Sequence, residues 1–107
     1  MIEIDPKGLK AMLDRGERVH LLDVREPMEI AICRIEGSEN IPMMQLFVGA
    51  KEPSAGLDDE LVVLCHHGIR SFEAAQYLRM KGFRRARSLS GGIDAWAAEV
   101  DPTLARY

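Results

Sequence analysis

The chain has 107 residues, room for one compact domain spanning 1–107 and not for two. Hydrophobic residues make up 47% and charged residues 29%, and no apolar run approaches the roughly 20 residues that cross a bilayer. The net charge of −3 gives no reason to propose nucleic acid or a membrane as partner, and two cysteines without a visible export signal fit a reducing, cytoplasmic setting.

In chain order, Ile2-Glu3-Ile4 reads as a short edge strand. Asp5-Pro6 is a helix cap followed by proline at the first helical position. Leu9, Met12 and Leu13 then line one face of a helix that stops at Gly16. Val19 to Val24 is a second apolar strand, ending in the polar group Asp23-Val24-Arg25-Glu26. Pro27 opens a short helix from Met28 to about Cys33, with Ile30 and Ala31 expected in the core. Ile35 to Pro42 combines turn residues with a short strand around Asn40-Ile41. Met43 to Val48 is read as helical, and Lys51 to Gly56 as a polar loop.

Leu61-Val62-Val63-Leu64 is too short for a helix and rich in β-branched residues, as in a strand buried on both faces of a parallel sheet. Beyond it, Ala74, Ala75 and Leu78 follow Ser71 at helical spacing, and Gly82 supplies the stop. Ala86 to Leu89 is a further strand, Ser90-Gly91-Gly92 a turn, and Ile93, Ala95, Trp96 and Ala97 begin a final helix. Asp101 to Tyr107, which contains Pro102, is expected to be a loose tail. The alternation of strands and helices points to an α/β fold, a small mostly parallel sheet with helices on both faces.

Between the central strand and its helix lies Cys65-His66-His67-Gly68-Ile69-Arg70. Ligands of open α/β sheets bind beyond the carboxyl ends of the strands. The first N–H groups of a helix lack intrahelical partners and carry partial positive charge, so a loop that turns them toward one point cradles an anion. A cysteine in such a cradle is stabilised as the thiolate nucleophile. Gly68 allows the tight turn and Arg70 adds a full positive charge. A free cysteine can also simply be buried structure. The adjoining glycine, arginine, strand and helix favour function. That reading requires the sulfur to be reachable from solvent and the amides to converge on it.

Four blocks in order, LLDVRE at 21–26, IEGSENIP at 35–42, LVVLCHHGIRS at 61–71 and SLSGGIDAW at 88–96, resemble the rhodanese-like sulfurtransferases over nearly the whole chain. The resemblance implies the rhodanese-like fold and a loop cysteine that takes a sulfane sulfur from a donor and passes it on as a persulfide. Carried onto this sequence, the catalytic nucleophile is Cys65. The cradle that binds the donor is His66, His67, Gly68, Ile69, Arg70 and Ser71. Asp23 and Arg25 resemble a pair that braces the site. The donor is a small anion such as thiosulfate, and the acceptor is cyanide, a small thiol or a protein thiol. No cofactor is implied. Two departures stand out: Cys33-Arg34 replaces a Gly-His pair common in the family, and two histidines follow the nucleophile.

Those histidines can tune Cys65, gate acceptors or simply face solvent. A zinc site from Cys65, His66, His67 and Cys33 is rejected, because adjacent histidines suit one tetrahedral ion poorly and no paired-cysteine spacing is present, so no metal is expected. Cys33 is a resolving thiol only if it approaches Cys65, and otherwise a small apolar residue. Arg84, Arg85 and Arg87 are a solvated surface or a docking patch. Met43 and Met44 line the mouth of the site or pack. Two other functions compete. Cysteine phosphatases and arsenate reductases hold one more residue between cysteine and arginine than the four found here, His66 through Ile69. A non-catalytic rhodanese-like module that binds a partner protein would have no need of Cys65.

Overall fold

The computed structural model describes residues 1–107, in which strands and helices alternate along the chain. The elements are β1 (Glu3–Ile4), α1 (Pro6–Asp14), β2 (Val19–Asp23), α2 (Pro27–Ile30), β3 (Glu39–Asn40), α3 (Met43–Phe47), β4 (Glu60–Leu64), α4 (Ile69–Met80), β5 (Ala86–Leu89) and α5 (Gly92–Glu99). The five strands form one sheet in the order β1-β5-β4-β2-β3, and every pairing is parallel. All carboxyl ends therefore share one edge. The central strand is β4, registered on one side with β2 (Asp23 opposite Leu64) and on the other with β5 (Val63 opposite Ser88).

The apolar run 61–64 is explained by this position. Alternate side chains of a strand point to opposite faces, and both faces of β4 are covered. On one face Leu61 and Val63 pack with Leu22, Val24 and Ala86 beneath Leu46 of α3 and Ala74, Ala75 and Leu78 of α4. On the other, Val62 and Leu64 pack with Leu21 and Leu89 beneath Leu9 of α1 and Ile93 and Trp96 of α5. None of the four β4 residues 61–64 is measurably exposed.

Two expectations need correction. Helix α2 ends at Ile30, with Ala31 exposed and Ile30 half-buried; the core contacts belong instead to Cys33 and Ile35. A four-residue helix after a proline has one turn, too short to present a continuous apolar face. The segment Asp101–Tyr107 is not loose: Arg106 and Tyr107 are bonded back onto the body of the protein. No helix is long and apolar enough to cross a membrane.

Candidate active site

Strand β4 delivers Cys65 at the carboxyl edge of the sheet, and two backbone amides of the next turn close on its sulfur. The Gly68 N–H donates to Sγ at 3.1 Å and the Ser71 N–H at 3.3 Å. The thiol is 3.4 Å from Ser71 Oγ, which bonds at 2.7 Å to Ser88 Oγ of β5. Gly68 has φ of +101°, and a Cβ there would stand 3.1 Å from the Gly91 nitrogen, so glycine is needed for both the turn and the packing. Ile69 turns its side chain out, 75% exposed.

The first turn of α5 fixes the loop from behind. The Ile93 N–H donates to the Cys65 carbonyl at 2.8 Å and the Asp94 N–H to the His66 carbonyl at 3.1 Å. These are helix-start N–H groups with no intrahelical partner, and the loop carbonyls satisfy them. Gly92 makes the approach possible: a Cβ on it would fall 2.3 Å from the His66 carbonyl oxygen.

Asp23 and Arg25 are both fully buried. Arg25 Nη2 donates to Asp23 Oδ2 at 2.8 Å and to the Cys33 carbonyl at 2.8 Å, while Nη1 donates to the Glu29 carbonyl at 3.2 Å and the Tyr107 hydroxyl at 2.9 Å. Burial opposes the guanidinium charge, but the hydrogen bonds to Asp23 and Tyr107 outweigh it, and Arg25 holds its proton more firmly than free arginine. Asn40 Nδ2 ties the carbonyls of Asp23 and Arg25 together at 2.9 Å each. The pair thus anchors the turn after β2 to the rim of the site.

The Arg70 guanidinium is paired with Glu29. Its two terminal nitrogens donate to the Glu29 carboxylate at 2.8 and 2.9 Å, a bidentate pair. These bonds are the main reason the Glu29 carboxyl is held down to about 2. The Tyr107 hydroxyl donates to the same carboxylate at 2.9 Å. Partial burial pushes that phenol above its ordinary value, with the Arg25 bond opposing and the Glu29 bond adding, so it stays protonated.

Of the histidines, His66 is half-buried beneath Tyr107, ring on ring at 3.7 Å and 6° between planes, and its Nε2 bonds the Tyr107 main-chain oxygen at 2.7 Å. His67 is exposed, with Nε2 3.7 Å from Asp94 Oδ2. His66, His67 and Asp94 bring ligand-type atoms within 4.8 Å of one another. Each is already partnered, Asp94 by Arg106 at 2.9 and 3.1 Å. Cys33 and Cys65 are free thiols in separate clusters on opposite faces of the sheet. Arg84 pairs with Asp58, and Arg85 and Arg87 share Glu60, so each arginine of the basic cluster has a carboxylate partner in place. Met43 packs against the core and Met44 is exposed.

Two amides, those of Gly68 and Ser71, converge on the sulfur, but the sulfur itself is closed to solvent. Cys65 is only 1% exposed. The largest surface hollow, about 380 Å³, is at the far end of the sheet among Glu17, Val19, His20 and Glu60. The hollow beside the loop, about 350 Å³, is lined by Glu3, His67, Gly68, Ile69, Phe72 and Glu73, not by the sulfur.

The sequence model of the family described as "Rhodanese-like domain" matches residues 5–99. The chain belongs to the rhodanese-like family. It is 37% identical over 103 residues to an Allochromatium vinosum protein named "Sulfurtransferase", covering 96% of this chain and 94% of that one. The human single-domain sulfurtransferase TSTD1 superposes with a TM-score of 0.79 at 29% identity, over 92% of this chain and 97% of that one. The "Probable adenylyltransferase/sulfurtransferase MoeZ" of Mycobacterium tuberculosis is 36% identical over 104 residues, 97% of this chain, which spans 26% of the length of that relative.

Around this rhodanese-like loop, three residues escape a reading of the sequence. Glu29 gives one signal, a carboxylate soon after the LLDVRE block, but nothing local pairs it with Arg70, 41 positions away. Tyr107 lies in a segment whose proline and polar residues read as loose. Gly92 is legible as a turn residue, yet its second duty, clearing space for the His66 carbonyl, depends on a contact across the fold.

Proposed function

We propose that the protein is a sulfurtransferase in which Cys65 carries sulfur as a persulfide between a small anionic donor and a thiophilic acceptor. The observation that carries this is the pair of N–H donors, from Gly68 and Ser71, converging on Cys65 Sγ at the end of the central strand. Amide hydrogens aimed at a sulfur stabilise negative charge there, in the resting thiolate and again in the persulfide.

Covalent catalysis divides the transfer into two displacements. With thiosulfate as donor, the Cys65 thiolate attacks the outer sulfur. The new S–S bond forms as the bond to the sulfonate sulfur breaks, and sulfite leaves with the electron pair. An acceptor such as cyanide, a small thiol or a protein thiol then attacks the terminal sulfur and the thiolate is restored. The loop from His66 to Ser71 surrounds the donor. Arg70 takes part by releasing Glu29 to meet the incoming anion, or braces the loop through that pair. Asp23 and Arg25 hold the rim. The two half-reactions predict ping-pong kinetics.

The test is direct. Incubation with thiosulfate adds one sulfur to the intact mass, and Cys65→Ala abolishes the adduct. Absence of the adduct in the wild type, or its survival in the variant, overturns the assignment. Burial of Cys65 is the one observation that favours the alternative, a non-catalytic module that binds a partner protein. Such a module forms no adduct with thiosulfate or any persulfide donor. Hydrolysis of a phosphate ester would instead favour a cysteine phosphatase, whose loop is longer by one residue.

A further inference from the structure

The segment Asp101–Tyr107 returns from the end of α5 to the rim of the Cys65 loop, and every strong contact it makes there is with a residue that shapes the loop. The Tyr107 ring lies flat on His66, the residue after Cys65, at 3.7 Å. Its main-chain oxygen accepts from His66 Nε2 at 2.7 Å. Its hydroxyl accepts from Arg25 at 2.9 Å and donates to Glu29 at 2.9 Å, and Glu29 in turn holds Arg70. Arg106 grips Asp94 through two hydrogen bonds, and the Asp94 N–H holds the His66 carbonyl. Tyr107 thereby joins both flanks of the cradle, His66 directly and Arg70 through Glu29. The gap beneath it, lined by Cys33, His66, Ile93 and Ala97, is too tight to admit water.

We propose that Asp101–Tyr107 is a strap over the Cys65 loop, latched by Tyr107, which sets which reagents reach the thiol. The inference rests on the sulfur-transfer reading for its purpose but not for its test. Cys65 is 1% exposed with the strap in place, and on this proposal unlatching is what opens a route to it. The latch is built to come off. Tyr107 is 39% exposed, and of its side-chain partners Glu29 and His66 lie half-buried at the rim while only Arg25 is fully buried. Segments held this way open locally at far lower cost than the whole fold.

Access is read by alkylation of the full chain with iodoacetamide, with each cysteine located by peptide mass mapping. If the strap governs access, Tyr107→Ala raises the rate at Cys65 by about fivefold or more, since apparent reactivity scales with the open fraction. Tyr107→Phe, which keeps the stack on His66 and loses both hydroxyl bonds, gives a smaller rise, and Arg106→Gln acts in the same direction. Circular dichroism checks that each variant is folded, and any one folded variant suffices. A rate at Cys65 within twofold of wild type, or acceleration confined to Cys33, overturns the strap. A chain that alkylates faster at Cys65 yet never takes sulfur from a donor keeps the strap and removes the sulfur-transfer reading.

Discussion

At Glu29 a single carboxylate accepts from both terminal nitrogens of Arg70, from the Tyr107 hydroxyl and from the Glu26 N–H, at 2.8 to 2.9 Å. Four donors on one ion explain why its proton is bound so weakly, with a value of about 2 against an ordinary 4.5. Because the folded value is depressed, the contribution to stability is complete above the ordinary value and is lost as pH falls through about 2. Glu29→Gln removes the charge and with it this pH dependence. The pair is partly exposed, so the expected loss at pH 7 is modest, about 1 kcal/mol. Urea unfolding of both proteins from pH 7 downward checks this: the gap between them should shrink as the pH approaches 2. A gap that stays constant through that window would show that Glu29 acts by packing and not by charge.

Among the elements, the Ser90-Gly91-Gly92 turn sets how near α5 comes to the active loop. Gly92 has φ of +63°, and its Cβ would meet the carbonyls of both His66 and Cys65 within 2.6 Å. Gly92→Ala must therefore push the α5 start away from the loop, breaking the Ile93 and Asp94 N–H bonds that hold it. The expected loss is about 3 kcal/mol of stability, from steric displacement, left-handed backbone strain and unsatisfied amides together. Thermal unfolding measures it, and a variant as stable as wild type would show the close approach to be dispensable. This element marks the limit of what a sequence discloses. Runs such as 61–64 are readable because burial on both faces leaves an unbroken apolar string, and Ser71, Ala74, Ala75 and Leu78 because one helix face repeats locally. The Cys65 loop is readable for the same reason, since strand, turn and helix start follow one another in the chain. Glu29 with Arg70 and Tyr107 with Arg25 join positions 41 and 82 apart, and no local pattern announces such a pair. The docked tail is missed because Pro102 and polar neighbours signal irregular backbone, which is a statement about regularity and not about attachment.

For the whole molecule, the shared central strand makes the two hydrophobic clusters interdependent. Val63 faces α3 and α4, whereas Trp96, the only tryptophan, sits in the cluster on the other face of the sheet with α1 and α5. Neither cluster has a sheet of its own: remove β4 from one side and the other loses Val62 and Leu64 as well. The two faces should then unfold as one two-state unit. Val63→Ala leaves a gap at a site with no measurable exposure, at an expected cost of about 2 kcal/mol from lost apolar burial and the residual cavity. If the clusters are coupled, Trp96 fluorescence reports that loss in full although the substitution is on the opposite face. Its urea midpoint moves together with that of the far-UV circular dichroism. Separation of the two curves, with Trp96 unmoved by the Val63 change, would mean that each face folds on its own. The α5 start would then no longer share the stability of the strand that delivers Cys65, and the loop between them would have to hold its shape by its hydrogen bonds alone.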